Sequence, residues 1–258
     1  MALYDKIGVG YDTTRQADPY LLSRLLHFLR PAPDRWHLDL GCGTANYTIA
    51  LREAGVRMAA IDLSAAMLSR AHAKCPPLPV NRARAEMLPF KPGAFAGATC
   101  TFVHHHMDDP VAAFREVRRV LAPGSRFVIL NGTAEQLRHY WLNEYFPRSL
   151  AAANQPYLRC ETGESLRAAG FAIEQTELYE VRDDLKDWFL YCGKHKPELY
   201  LDPRVRAGIS AFSNAPDADE ITHGIARLEE DIRSGRIEEV MRSYAWGGGD
   251  YMFTVASR

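Results

Sequence analysis

Between Trp36 and Leu130, short apolar runs alternate with amphipathic stretches, and this pattern constrains the chain more than any other feature. Trp36–Leu40, Val56–Ile61, Ala98–Val103 and Phe127–Leu130 read as strands, with a weaker candidate at Val80–Ala85. Helical spacing fills the gaps: Ile49, Ala50 and Leu51; then Met67, Leu68 and Ala71 behind a capping Ser64; then Val111–Leu121, stopped by Pro123-Gly124. Strands alternating with helices of this length imply βαβ units and a parallel sheet. Such crossovers are nearly always right-handed, which puts helices on both faces. The predicted fold class is therefore α/β, with a mostly parallel sheet.

The flanks extend this core. Asp18-Pro19 has the form of an N-cap followed by proline at the first helical position, and Leu21, Leu22, Leu25, Leu26 and Leu29 continue at helical spacing. After about residue 133 the rhythm changes. Ala134–Phe146 reads as an aromatic helix, Thr162–Ala169 as a short helix ended by Gly170, and Phe171–Val181 as a strand. Asp184–Ala245 holds only helical patterns, and Gly247-Gly248-Gly249 precedes an alternating strand at Asp250–Ala256. The expected organisation is an N-terminal helical segment (1–35), an α/β core (36–183), a helical cap (184–246) and a final strand (247–258) that returns to the sheet. The cap is thus inserted between the last two strands.

Composition excludes several function classes. Among 258 residues, 31 Lys and Arg face 32 Asp and Glu, a formal charge of -1. No basic stripe suits a nucleic acid or an anionic membrane. No run approaches the roughly 18 apolar residues of a membrane span. The start, MALYDKIGVGYD, lacks a signal-peptide layout. The five cysteines, Cys42, Cys75, Cys100, Cys160 and Cys192, are widely spaced without a CxxC pair. They are expected to be free thiols in a reducing cytoplasm, and no structural metal site is expected.

The segment Asp39-Leu40-Gly41-Cys42-Gly43-Thr44-Ala45 joins the first strand to its helix. Glycines there let a ligand approach the backbone more closely than a Cβ allows. Asp62 ends the next strand, 19 residues beyond Gly43, where a carboxylate can accept hydrogen bonds from ribose hydroxyls. A nicotinamide dinucleotide would want G-x-G-x-x-G, but position 46 is Asn. Asp39 would also repel a pyrophosphate, and it suits a ligand with a cationic amino group.

DLGCGTANYTIAL, AAIDLSAAMLSRA, RAEMLPF and TFVHHHMDDPVAAFREVRRVLAPGSRFVIL occur in that order over residues 36 to 131. Together they resemble the class I S-adenosylmethionine-dependent methyltransferases, in the ubiquinone-biosynthesis-like, small-molecule branch. The resemblance implies a Rossmann-like fold, S-adenosyl-L-methionine as cofactor and a small-molecule methyl acceptor. It implies that Asp39, Gly41, Cys42 and Gly43 surround the methionine moiety and that Asp62 holds the ribose. Leu63 and Met67 would pack on the adenine region, with Ala85 and Glu86 at its edge. Phe102 would border the sulfonium, while Tyr11 and Arg15 belong to an N-terminal helix that folds over the cofactor. Ala45 stands where the family usually has a third glycine, and Arg84 where this branch often has Asp.

A protonated acceptor needs a base, which contributes about 10²–10⁴-fold. His104-His105-His106 follows the fourth strand, and His105 and His106 match paired histidines of this family branch. They are candidate bases, or else they only order the loop beside Asp108 and Asp109. Strand alternation would send His105 one way and its neighbours the other, which disfavours a shared metal ion. Trp188, Phe189, Tyr191, Tyr200, Phe212, Tyr244 and Trp246 form either the core of the cap or the wall of an acceptor pocket. The acidic run Asp217, Asp219, Glu220, Glu229, Glu230 and Asp231 reads as a solvated helix face. Two rival readings are a catalytically silent S-adenosylmethionine-binding regulatory protein and an NAD-dependent oxidoreductase.

Overall fold

The computed structural model describes residues 11–159 and 161–258. The stretch MALYDKIGVGYD, read as lacking a signal-peptide layout, lies mostly outside the described residues, and so does Cys160, expected to be a free thiol. Seven strands form one sheet: β1 (Trp36–Leu40), β2 (Arg57–Asp62), β3 (Val80–Arg82), β4 (Phe95–Thr101), β5 (Leu121–Asn131), β6 (Ala172–Tyr179) and β7 (Tyr251–Ser257). Their spatial order is β3-β2-β1-β4-β5-β7-β6. β1 to β5 pair in parallel, and β7 runs antiparallel to both β5 and β6. This is the mostly parallel α/β sheet anticipated from the alternation, in the Rossmann-like form that the resemblance implies. The strand order reverses between β1 and β4, and open α/β sheets bind ligands in the crevice beyond the strand ends at that point.

Both faces of the sheet are covered. Along β5, Phe127 and Ile129 join one apolar core with Leu38, Leu40, Ala98 and Phe114. Val128 and Leu130 join the other, with Leu21, Leu25, Phe28 and Phe253. That split follows from strand geometry, in which successive side chains point to opposite faces. Asp18 caps the helix Pro19–Leu29 as expected, with Oδ1 accepting from the amides of Tyr20 (2.9 Å) and Leu21 (3.0 Å).

The chain beyond β5 departs from the sequence reading in three ways. Ala134–Phe146 is not one helix: Ala134–Arg138 is α-helical and Trp141–Glu144 is a 3-10 turn. A further helix, Pro147–Arg159, follows, with Pro156 tolerated inside it. Aromatic residues of this region, including Tyr140, Trp141, Tyr145 and Phe146, share a core with Tyr191, Tyr200 and Phe212. The acidic run on the helix Ala218–Ser234 is not wholly solvated either. Glu220 is buried and accepts from the amides of Arg148 (2.7 Å) and Ser149 (2.9 Å), so it caps the helix Pro147–Arg159 from outside. Asp231 is buried too, accepting from Tyr145 Oη at 2.8 Å. Two of these carboxylates therefore serve as internal acceptors, which hydropathy alone does not reveal.

Candidate functional site

Beyond β1 the backbone turns through left-handed conformations at Gly41 (φ 75°), Gly43 (φ 55°) and Ala45 (φ 65°). The amides of Gly41 and Cys42 both donate to the carbonyl of Ile61 at 2.9 Å, which fixes the loop against β2. A Cβ on Gly41 would lie 2.3 Å from Val103 Cγ1, whereas one on Gly43 would meet nothing within 4 Å. Gly41 thus packs on the segment after β4, and the backbone at Gly43 borders open space. Gly41→Ala combines left-handed strain with overpacking, and we expect it to cost about 2–4 kcal/mol. A urea midpoint within error of the unchanged chain would refute that expectation.

Asp62 ends β2, and its carboxylate accepts from the amides of Gly43 and Ser64, both at 2.8 Å. Ser64 caps the helix Ala65–Lys74, its hydroxyl accepting from the Met67 amide at 3.2 Å. These bonds aim the Asp62 side chain at the loop and hold its charge at the crevice.

Three cavities meet around this loop. The first, about 80 Å³, is lined by Tyr11, Arg15, Asp39, Gly41, Cys42, Gly43, Asp62, Met67 and Phe102, all expected from the sequence. Leu63, Ala85 and Glu86 line a second cavity of about 160 Å³, which shares Gly41, Asp62 and Val103 with the first. The candidate cofactor residues therefore divide between two adjoining spaces joined at Asp62. Arg84, beside the second cavity, pairs with Asp108 at 2.8 Å and with Glu86 at 3.3 Å. A third cavity, about 240 Å³, shares Arg15 and Phe102 with the first and contains His105, His106, Tyr157, Phe189 and Tyr251 in its wall.

The residues of the first cavity fit the cofactor. The buried Thr101 Oγ1 has no hydrogen-bond partner among the described residues and lies in the wall of that cavity. A buried unmet hydroxyl is costly, and a polar ligand would satisfy it.

Asp39 lies in the same wall, but its carboxylate is already engaged. Thr48 Oγ1 donates to Oδ2 at 2.5 Å and Thr99 Oγ1 to Oδ1 at 3.0 Å. Burial pushes its pKa up to about 6, with the two threonine hydroxyls opposing and Asp62 reinforcing the rise. Its folded pKa then exceeds the unfolded value of about 3.9, so the folded state holds the proton more tightly between about pH 4 and 6. Stability from this group is present below that window and lost as pH rises through it. We expect Asp39→Asn to be more stable than the unchanged chain at pH 7.5 by about 2–3 kcal/mol, with the difference fading near pH 4.5. Urea unfolding at both pH values checks this, and a pH-independent difference would refute it.

The histidines are not on a strand. β4 stops at Thr101, Phe102 adopts a left-handed φ of 56°, and His104–His106 form one 3-10 turn. The alternation expected for this stretch is therefore corrected. Phe102 still donates its amide to Leu130 at 2.8 Å before the chain bends away. A non-glycine residue in this conformation is strained and tends to occur where surrounding packing and function require it. In the turn, His105 and His106 line the same cavity, with ring centroids 3.9 Å apart. His105 Nδ1 lies 3.0 Å from Asn131 Oδ1, and its Nε2 lies 3.3 Å from Tyr157 Oη. Asn131 Nδ2 donates to the Gly132 carbonyl at 3.2 Å, which turns the amide oxygen toward His105. His105 then carries its proton on Nδ1 and presents a lone pair on Nε2. Burial, reinforced by the neighbouring histidines, holds the His105 pKa well below the usual value, and burial lowers that of His106 to about 4. Both rings are neutral at physiological pH. Among the described residues, no group of three or more His, Cys, Asp or Glu is placed to hold a metal ion.

A family described as "Methyltransferase domain" matches residues 38–129. A demethylmenaquinone methyltransferase of Mycolicibacterium paratuberculosis is 30% identical over 179 residues, covering 65% of this chain and 77% of that protein. The chain belongs to the class I S-adenosylmethionine-dependent methyltransferases. Its branch is the quinone-biosynthesis-like one, and the methyl donor is S-adenosyl-L-methionine. Solved structures agree on the fold of this methyltransferase. A methyltransferase from an antibiotic biosynthesis pathway of Anabaena variabilis superposes with a TM-score of 0.81 at 24% identity, covering 95% of this chain and 99% of that one. A geranyl diphosphate C-methyltransferase from Streptomyces coelicolor gives 0.53 at 17% identity, covering 93% and 78%.

Several residues lining these cavities escaped the sequence reading. Asp187 and Tyr47 line the first cavity, and Tyr157, on the unanticipated helix Pro147–Arg159, lines the third. Asp187 pairs with Arg15 from 172 positions away, which no local pattern encodes. Among the described residues, no helix is long and apolar enough to cross a membrane.

Proposed function

We propose that this methyltransferase acts on an uncharged, largely apolar small molecule at an acidic hydroxyl or enol centre. The observation that carries this reading is the third cavity, which meets the cofactor space at Phe102 and has His105 and His106 in its wall. Arg15 is the one permanent cation among the described residues lining it, and Asp187 pairs with that cation. A phosphate or carboxylate would therefore find no uncompensated positive charge. An apolar cavity of about 150 Å³ accepts one benzene. A cavity of about 240 Å³ then suits a substituted ring or a fused pair. The demethylmenaquinone methyltransferases to which the chain is similar take a quinone-related acceptor by name, which supports the same class.

In this reading the adenine lies against Leu63, Met67, Ala85 and Glu86, and the ribose hydroxyls donate to Asp62. Asp39, Gly41, Cys42 and Gly43 surround the methionine moiety, and Tyr11 and Arg15 cover it. The cofactor supplies an electrophilic methyl group on sulfur beside Phe102. His105 Nε2 takes the acceptor's proton, Asn131 Oδ1 supports the ring through Nδ1–H, and His106 packs alongside. A histidine held neutral this firmly is a weak base, so it matches an acceptor more acidic than an aliphatic alcohol. The residues 184–246, with the helices of 134–159, form the acceptor-holding cap. The enzyme works in the cytoplasm, consistent with the free thiols of Cys42, Cys75, Cys100 and Cys192. It uses no nucleic acid.

The test is methyl transfer from labelled S-adenosylmethionine to a panel of hydroxyquinones, phenols, carboxylates and sugar phosphates. Turnover confined to the first two groups is expected. Turnover confined to the anionic groups would overturn the reading.

A further inference from the structure

Asp187 lies on the cap side of the cofactor space, where its carboxylate is 2% exposed and faces Arg15 and Tyr47. Arg15 Nε donates to Oδ1, Arg15 Nη2 lies 3.4 Å from Oδ2, and Tyr47 Oη donates to Oδ2 at 3.1 Å. Its neighbours are tied to the N-terminal segment: the Lys186 amide donates to Asp18 Oδ2 at 3.0 Å and the Trp188 amide to the Thr14 carbonyl at 2.9 Å. The acid is thus held in position by the N-terminal segment and by Tyr47.

The first cavity joins the second at Asp62 and the third at Arg15 and Phe102. An adenosine seated on the Asp62 side directs its amino-acid end toward Arg15. That end is a zwitterion, and a buried ammonium group needs an acceptor that carries charge. Asp39 lines this cavity too, held by the Thr48 and Thr99 hydroxyls, but Asp187 is the carboxylate that pairs with Arg15.

We propose that Asp187 is the counter-ion for the α-ammonium group of the methyl donor, with Arg15 facing its α-carboxylate. Arginine, aspartate, ammonium and carboxylate then alternate in sign around a ring, so neither buried protein charge loses its partner when the cofactor enters. Tyr47 orients the Asp187 carboxylate. Because Asp187 comes from the cap segment, cofactor binding and the walls of the acceptor cavity share one residue stretch. This inference rests on the cofactor reading above.

The experiment is calorimetric binding to the full chain and to Asp187→Asn, using S-adenosylhomocysteine, its des-amino analogue and 5′-methylthioadenosine, which lacks the amino-acid end. We expect Asp187→Asn to weaken S-adenosylhomocysteine by about 10- to 100-fold, and to leave 5′-methylthioadenosine within about twofold. Removing the ligand's amino group should cost much less affinity in Asp187→Asn than in the unchanged chain, the signature of direct coupling. Unchanged S-adenosylhomocysteine affinity, or equal losses for both nucleosides, would overturn the proposal. Should Asp187→Asn fail to bind 5′-methylthioadenosine, Tyr47→Phe takes its place. A selective loss of a few-fold for S-adenosylhomocysteine then supports the proposal, and equal losses overturn it. An unchanged chain that binds neither nucleoside would overturn the cofactor reading along with it.

Discussion

Replacing Asp62 with alanine should weaken S-adenosylmethionine binding by roughly 100-fold or more, since hydrogen bonds to a charged group contribute about 1.5–3 kcal/mol each. Two losses combine. The ribose hydroxyls lose a charged acceptor, and the amides of Gly43 and Ser64 lose the carboxylate that now receives them at 2.8 Å. The second loss also loosens the loop that faces the ligand. Asp62→Asn separates the two effects, because it keeps one oxygen acceptor while presenting an amide to a site built for two donors. Calorimetry with S-adenosylhomocysteine gives the affinities, and urea unfolding gives the stability. Unchanged affinity in Asp62→Ala would remove Asp62 from the cofactor site.

His105→Ala should slow the methyl-transfer step by about 10²–10⁴-fold, the usual contribution of a positioned base. S-adenosylhomocysteine affinity should stay unchanged, since the ring lines the acceptor cavity. The pH profile adds a readout that packing alone would not produce. A histidine base of ordinary pKa loses half its activity near pH 6.5. Burial holds His105 well below that value, so transfer should remain flat through the ordinary histidine range and decline only well beneath it. Tyr157→Phe, which removes the hydroxyl 3.3 Å from Nε2, should change the rate only a few-fold. Single-turnover rates with an identified acceptor are the measurement. Rates unchanged from the parent chain in His105→Ala, His106→Ala and the double variant would eliminate the base.

Local chemistry was legible wherever a residue acts on its own neighbours. Asp18 before Pro19, Ser64 before its helix, and the glycines after β1 each announce a conformation through a side chain or its absence. Position in the alternation also placed Asp62, and with it the meeting point of two cavities. The reading failed where distant packing decides. Phe102 takes a left-handed conformation that phenylalanine does not prefer, and this turned an expected strand end into a 3-10 turn. The helix Pro147–Arg159, with Pro156 accommodated within it, was not anticipated at all. Glu220 and Asp231 looked like solvated charges because their partners, Ser149 and Tyr145, lie 71 and 86 positions away. Asp187 is hidden for the same reason.

Glu220 bears on how such an enzyme can change its substrate. It caps, from one stretch of chain, a helix carried by another, and that helix supplies Tyr157 to the third cavity. The cap is therefore not a cassette. Grafting residues 184–246 onto a related core would bring the acceptor for the Arg148 and Ser149 amides without the helix that fits it. New specificity in this scaffold should arise through matched changes in two separated stretches, or through point changes in the cavity wall that leave the cross-brace intact.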